Sequence, residues 1–245
     1  MIPLRLAELE RLLDCPASGH DPEIRSIVSD SRKVGDGALF AALPGERVDG
    51  HDFAPGAIEA GAAALLVSRR LDVDAPQLVV DDVLVALGRI ARLVRERIDP
   101  VVVGITGSNG KTTVKEMLAS ILRLDGRVLA TEGNYNNELG LPLTLFRLQP
   151  KHRYAVLEMG ASKTGDIAYL AGIAQPDVGL VNNIAPAHLE GFGSIEGVAR
   201  TKGEMYAGLP KRGCAVMNAD EPWLDLWRGL NRAGTVLTFG AAADA

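Results

Sequence analysis

Cysteine is almost missing from this 245-residue sequence, with Cys15 and Cys214 the only two. Neither stands at a metal-ligand spacing, and together they make no disulfide framework, so a reducing cytosol is the expected compartment. Long apolar runs are missing too. No uncharged apolar stretch approaches the ~18 residues that a membrane span requires. The N-terminal pattern is interrupted by Arg5, Glu8, Glu10 and Arg11, which breaks the core of a signal peptide. An excess of basic charge is also lacking: 26 basic against 31 acidic residues give a formal charge of −5. That balance argues against a non-specific binder of nucleic acid or anionic membranes. No solenoid-length repeat occurs, and the one biased segment is the alanine-rich tail, Ala241–Ala245. What remains is ordinary globular composition, 47% hydrophobic and 23% charged, which excludes disorder or coiled coil as a global description. At about 1.6 times the ~150 residues of the usual per-domain prior, the chain has room for one large domain or two modest ones.

The pattern after residue 100 is strand–helix alternation. Val101–Ile105 is a continuous β-branched run, as expected of a strand covered on both faces. Helical spacing follows over Thr112–Leu124, where Val114, Met117, Leu118, Ile121 and Leu122 recur. Further strands are expected at Arg127–Thr131, Tyr154–Met159, Val178–Asn182, Cys214–Met217 and Thr235–Phe239, and helices at Asp166–Ala174 and Ser194–Gly208. Connections this short favour a mostly parallel sheet wrapped by helices. The first ~80 residues differ, in the manner of a separate small domain. A short N-terminal helix precedes small apolar runs at Ala38–Leu43, Ala63–Val67 and Gln77–Val80. Val83, Leu87, Ile90, Val94 and Ile98 then predict a connecting helix that stops before Asp99-Pro100, since a residue preceding proline is pushed out of the helical region. The expected division is therefore 1–82 and 83–245. The fold class is α/β: a small N-terminal α/β domain, then a mostly parallel-sheet domain carrying a phosphate loop.

That loop is the strongest chemical signal. Gly104-Ile-Thr-Gly107-Ser108-Asn109-Gly110-Lys111-Thr112-Thr113 lies between an expected strand and an expected helix. Glycines let backbone N–H groups turn toward an anion, and the helix N-terminus adds its positive dipole end. Lys111 reaches phosphates in such a loop, and the Thr112 hydroxyl ligates magnesium. The strict pattern wants glycine where Ile105 stands, and Gly107 sits three residues before Gly110 instead. The bland alternative is a glycine-rich turn without a ligand. Glu158 ends an expected strand, either as a magnesium ligand at the sheet's carboxyl edge or as a solvated carboxylate. His188 follows another strand end, where a lone histidine is more often structural. Lysine is scarce, seven against nineteen arginines, so Lys202 stands out in its helix, as a placed amine or as a solvated position. Asn136 and Asn137 belong to a polar loop, Gly133–Glu138, that either grips a polar substrate or simply turns.

Taken together, these segments resemble the Mur ligases of bacterial peptidoglycan synthesis. The resemblance rests on Thr106–Thr113, Gly133–Glu138, Glu158-Met-Gly-Ala161, and the stretch from Asn183 through His188-Leu-Glu-Gly-Phe-Gly-Ser194 to Lys202-Gly-Glu204. In the first domain Asp30-Ser31-Arg32 and Gly45–Phe53 resemble the family's uridine-diphosphate-binding region. The family's own glycine spacing accounts for the loop's departure from the strict pattern. Most closely, the motifs resemble the branch that joins D-alanyl-D-alanine to UDP-N-acetylmuramoyl-tripeptide. The resemblance implies ATP as co-substrate, with Gly107, Ser108, Asn109, Gly110, Lys111, Thr112 and Thr113 around its phosphates. It implies two magnesium ions, one on Thr112 and Glu158, the other on His188 and a carbamoylated Lys202, with Lys111, His188 and Lys202 as the catalytic set. Ser31 and Arg32 are expected at the uridine diphosphate, and Asn136 and Asn137 at the sugar–peptide portion. Partners are then the two substrates, with no nucleic acid and no membrane insertion, for a cytoplasmic monomer.

The same resemblance implies a third, closing domain. Residues 83–245 are expected to form an incomplete central domain with an unpaired sheet edge, and the chain alone to have little or no ligase activity. Three rivals stay open: another phosphate-loop enzyme, a Mur ligase adding the third amino acid, and a nucleotide-sugar binder without turnover. A GTPase is disfavoured because neither Asn-Lys-x-Asp nor Asp-x-x-Gly occurs.

Overall fold

The computed structural model describes residues 1–45, 48–186 and 189–241. Its contacts divide the chain into two compact units, Met1–Val94 with Phe146–Gln149, and Arg95–Leu145 with Pro150–Ala245.

In the first unit the small apolar runs become strands. Its elements are β1 (Leu4–Arg5), α1 (Leu6–Leu12), β2 (Glu23–Ile24), β3 (Ser26–Val28), β4 (Ala38–Ala41), α2 (Ala54–Glu59), β5 (Ala62–Val67), β6 (Gln77–Val79) and the start of α3 (Val83–Ile98). Strands β3-β4-β5-β6 form one sheet, all pairs parallel. Phe40, Leu65 and Val67 pack with Ala54 and Ala57 of α2, which explains why β4 is apolar throughout. Helix α3 starts where Asp82 Oδ1 accepts the N–H groups of Leu84 (2.8 Å) and Val85 (3.1 Å), a side-chain cap for two orphan donors. It ends before Asp99, whose φ of 48° lies outside the helical region, as the following Pro100 requires. Contacts break between Val94 and Arg95, inside this helix, rather than at its start near residue 82. Arg89 donates to the Leu12 carbonyl and pairs with Asp14, holding most of α3 with the first unit. Arg95 instead donates to the carbonyls of Ala174 and Gln175 (both 3.0 Å) in the second.

The second unit contains β7 (Val101–Thr106), α4 (Lys111–Leu122), β8 (Arg127–Ala130), α5 (Gly140–Leu145), β9 (His152–Glu158), α6 (Asp166–Ala174), β10 (Val178–Val181), α7 (Leu189–Phe192), α8 (Ile195–Ala207), β11 (Cys214–Asn218), α9 (Leu224–Leu230) and β12 (Thr235–Phe239). The six strands run in the order β12-β11-β10-β7-β9-β8, every pair parallel. Because strand side chains alternate, β7 serves two faces. Val103 and Ile105 meet Ala119, Val114, Leu118 and Leu122 of α4. On the other face Met205 of α8 comes so close that a Cβ at Gly104 or Gly179 would lie 3.0 or 2.8 Å from it. After β7 the chain crosses outward to β8, and after β9 it crosses back to β10. The carboxyl ends of β7 and β9 therefore flank the point where the winding reverses, where such sheets bind ligands. Among the described residues β12 pairs on one side only, and its Val236 and Leu237 are exposed. Among them also, no helix is long and apolar enough to cross a membrane.

Candidate active site

The segment after β7 turns tightly on two glycines. Gly107 has φ 148° and Gly110 φ 75°, conformations that suit glycine. Space demands glycine as well: a Cβ on Gly107 would meet Asn182 Cβ at 3.0 Å, and one on Gly110 would meet Asn182 Nδ2 at 2.8 Å. The loop is clamped by the segment that follows β10. Ser108 N–H donates to the Asn183 carbonyl (2.9 Å), and Asn109 N–H to Asn183 Oδ1 (2.9 Å). Asn182 Nδ2 and Asn183 Nδ2 both donate to the Asn109 carbonyl, at 2.8 and 3.1 Å. Ser108 Oγ donates to the Ala185 carbonyl and accepts from Ala185 N–H. Among the described residues no side chain caps the N-terminus of α4, which leaves its first N–H groups to an anion. Lys111 Nζ lies over the same loop, donating to the Gly107 carbonyl at 3.0 Å.

The structure brings Thr112 and Glu158 together. Thr112 Oγ1 donates to Glu158 Oε2 at 2.8 Å, while Asn136 Nδ2 donates to Glu158 Oε1 at 2.8 Å. Glu158 is 3% exposed, so its carboxylate is a buried, fully addressed group rather than a solvated strand end. Asn136 also accepts Gly160 N–H through its carbonyl (2.8 Å). Asn137 behaves differently: its Oδ1 accepts Gly140 N–H (2.8 Å), as a cap at the start of α5. Three contributors lie outside the residues singled out from the sequence. Thr131, just past β8, accepts Glu158 N–H on its Oγ1 (3.0 Å), and Lys115 Nζ donates to the Thr131 carbonyl (2.5 Å). Asn182, beside the Asn183 of the motif, is the third. Its position immediately after a strand was the available signal.

Lys202 lies on α8, 4% exposed. Among the described residues its amine has no hydrogen-bond partner, and its pKa is lowered to about 8, first by burial and then by the Lys111 charge. Helix α8 is held by Trp227, whose Nε1 donates to the Ala199 carbonyl (3.0 Å), and by Tyr206, whose hydroxyl donates to the Val216 carbonyl (2.8 Å). His188 lies outside the described residues.

In the first unit Ser31 and Arg32 start a 3-10 turn, Ser31–Lys33, capped by Asp30. Exposed Arg32 forms a two-pronged pair with that carboxylate, at 2.9 Å on each prong. Chiefly through this bond the Asp30 pKa falls to about 2. His51 is buried, its Nδ1 2.6 Å from Asp49 Oδ1 and its Nε2 accepting Ser68 N–H (3.0 Å).

Among the described residues no three His, Cys, Asp or Glu side chains gather as a metal cage. Magnesium held with a nucleotide needs less, one or two protein oxygens completed by phosphates and water. Thr112 Oγ1 and Glu158 Oε2, adjacent beside a phosphate-type loop, are that kind of donor set, so the residues fit the ion.

Comparison with known proteins agrees with this geometry. Residues 105–245 match the family model described as Mur ligase middle domain, and residues 23–95 the one described as Mur ligase family, catalytic domain. The UDP-N-acetylmuramoyl-tripeptide--D-alanyl-D-alanine ligase of Escherichia coli is 48% identical over 99% of this chain and 54% of its own. That of Bacillus subtilis is 42% identical over 82% of this chain and 45% of its own. Among solved structures, MurF from Acinetobacter baumannii superposes with a TM-score of 0.90 at 36% identity, covering 97% of this chain and 53% of that one. MurF ligase from Thermotoga maritima in complex with ADP gives 0.82 at 37%, over 88% and 50%. The chain spans about half the length of the curated relatives it matches.

Proposed function

The chain belongs to the Mur ligase family, and from that premise we propose that it serves an ATP-dependent amide ligase of peptidoglycan precursor synthesis. The reaction joins D-alanyl-D-alanine to UDP-N-acetylmuramoyl-tripeptide in the cytoplasm, on a monomer. The observation that carries this reading is the Glu158 carboxylate, held between Thr112 of the phosphate loop and Asn136 of the asparagine loop. Three separate sequence motifs converge on that one group.

The tripeptide's terminal carboxylate attacks the γ-phosphorus of ATP, giving an acyl phosphate and ADP. The dipeptide amine then adds to the carbonyl carbon, and phosphate leaves from the tetrahedral intermediate. Residues of this chain supply position and charge, which phosphoryl transfer chiefly needs. Lys111 turns its ammonium from the loop carbonyls to the β- and γ-phosphates, and the N-terminal N–H groups of α4 receive phosphate oxygens. Ser31 and Arg32 bind the uridine diphosphate, which makes the first compact unit the substrate-binding part and the second the ATP-binding part. Asn136, with Asn137 beside it, orients the sugar–peptide portion. Thr112 and Glu158 would hold one magnesium ion, and His188 and Lys202 a second, to neutralise charge that builds on the phosphate oxygens. Lys202 suits an anionic oxygen role because its amine, with no hydrogen-bond partner among the described residues, condenses with carbon dioxide to a carbamate and releases a proton.

The test is calorimetry with each UDP-muramoyl-peptide, followed by ATP turnover with and without D-alanyl-D-alanine. The tripeptide form is expected to bind in preference to shorter forms, and any ATP turnover to depend on it. Turnover indifferent to muramoyl peptides, or a stable phosphorylated product made without an amine, would contradict the reading.

A further inference from the structure

Helix α4 wears part of its polarity inside out. It exposes Met117 (63%) and Ile121 (62%) while burying Lys115 (1%) against the sheet. An ammonium taken out of water is costly unless paired and hydrogen-bonded, and an apolar side chain of similar volume is often the more stable choice. This one is both hydrogen-bonded and paired, so its partners say what it holds. Its contacts are specific. Lys115 Nζ donates to the Thr131 carbonyl and pairs with Glu116 at 2.8 Å. Thr131 is itself buried, bonds through its N–H to the Val156 carbonyl (3.1 Å), and accepts Glu158 N–H on its hydroxyl. From Thr131 the chain runs directly into the loop carrying Asn136, which grips the Glu158 side chain.

We propose that Lys115 is a positioning residue for the metal–nucleotide site: its ammonium holds Thr131 so that Thr131 Oγ1 and Asn136 fix the Glu158 carboxylate beside Thr112. The inference rests on Glu158 as a magnesium ligand. Lys115 touches neither phosphate nor metal; it acts through Thr131. Its loss weakens the metal-dependent part of nucleotide binding and leaves the loop's own grip on phosphate intact.

The experiment measures ATP binding to the 245-residue chain in excess magnesium and in chelator, well below each variant's melting temperature. The variants are Lys115→Met, Thr131→Val, Thr131→Ser, the Lys115→Met/Thr131→Val double and Glu116→Gln. Lys115→Met and Thr131→Val should each lose about tenfold of the affinity gained from magnesium, with chelator affinity changed less than twofold. The double variant should lose little more than either single, as residues acting along one path do. Thr131→Ser keeps the hydroxyl and should behave as the parent, and so should Glu116→Gln. Should Lys115→Met not fold, the Thr131 pair decides the matter. Equal losses with and without magnesium, additive losses, or no loss overturn the proposal. A parent chain that binds ATP no better with magnesium than without overturns the metal reading of Glu158 itself, and the inference with it.

Discussion

The two faces of the six-stranded sheet each bury a lysine, and the two lysines are in opposite electrostatic condition. On the α4 face Lys115, 1% exposed, has the Thr131 carbonyl at 2.5 Å and the Glu116 carboxylate at 2.8 Å. On the α8 face Lys202, 4% exposed, has no hydrogen-bond partner among the described residues and is opposed by the Lys111 charge. Burial alone thus says little about what a lysine is for. A buried ammonium with partners fixes geometry, whereas one without them is pushed toward its neutral amine. The same contrast separates the loops at the sheet's carboxyl edge. Asn182 and Asn183 direct their side-chain amides to the phosphate loop, while among the described residues no side chain caps the α4 N-terminus.

Variants can break or sharpen this contrast. The largest effect is expected at Lys202. In a ligase that also carries the third, closing domain, Lys202→Ala should lower ATP-dependent chemistry on the order of 10²-fold or more, as removal of preorganised charge does. Acetate should restore part of it by supplying the missing carboxylate, and Lys202→Arg should stay inactive. Full activity of Lys202→Ala without added acid would remove the lysine from the site. Trp227→Ala should come next, destabilising the chain by about 3–5 kcal/mol. The indole is fully buried, bonds to the Ala199 carbonyl, and lies where a Cβ on Gly203 would touch it at 2.8 Å. A urea melt within ~1 kcal/mol of the parent would mean that α8 is seated by other contacts. The smallest effects are the most discriminating. Lys115→Met should cost about 1–3 kcal/mol by stranding the Thr131 carbonyl, whereas Lys202→Met should be neutral or stabilising, as replacement of a buried, uncompensated charge is. If both variants shift equally in urea, the two lysines are alike and the contrast fails.

Much of the architecture was legible in the sequence because its strands are continuous and β-branched. Val101–Ile105 and Thr235–Phe239 became β7 and β12 with ends shifted by a residue at most. Helix α5 was not legible: Gly140-Leu-Pro-Leu-Thr-Leu145 is too short to show a period and carries a proline, and it forms under the Asn137 cap with most of its residues buried. Helix α9 is equally short, and its place depends on Trp227 packing onto α8. Lys111, Thr112 and Glu158 could be singled out from motif and position, since each ends a strand or opens a helix. Thr131 and Lys115 could not, because their partners are set by the order β7-β9-β8, which alternation of strands and helices leaves open; Asn182 had only its position at a strand end to mark it. Lys115 in particular reads as an ordinary helical lysine until the sheet beneath it is known. The assignments of Ser31, Arg32 and Lys202 to particular ligands came from family resemblance.

The central claim is that the loop after β7 is a nucleotide site in which Lys111 meets the phosphates and Thr112 with Glu158 meets the metal. Equilibrium binding of ATP to the parent chain and to Lys111→Ala, with magnesium titrated into each, tests it most directly. The account predicts binding by the parent that tightens with magnesium, and loss of that binding in Lys111→Ala at an unchanged melting temperature. Equal binding by the two proteins, or binding indifferent to magnesium, would contradict it.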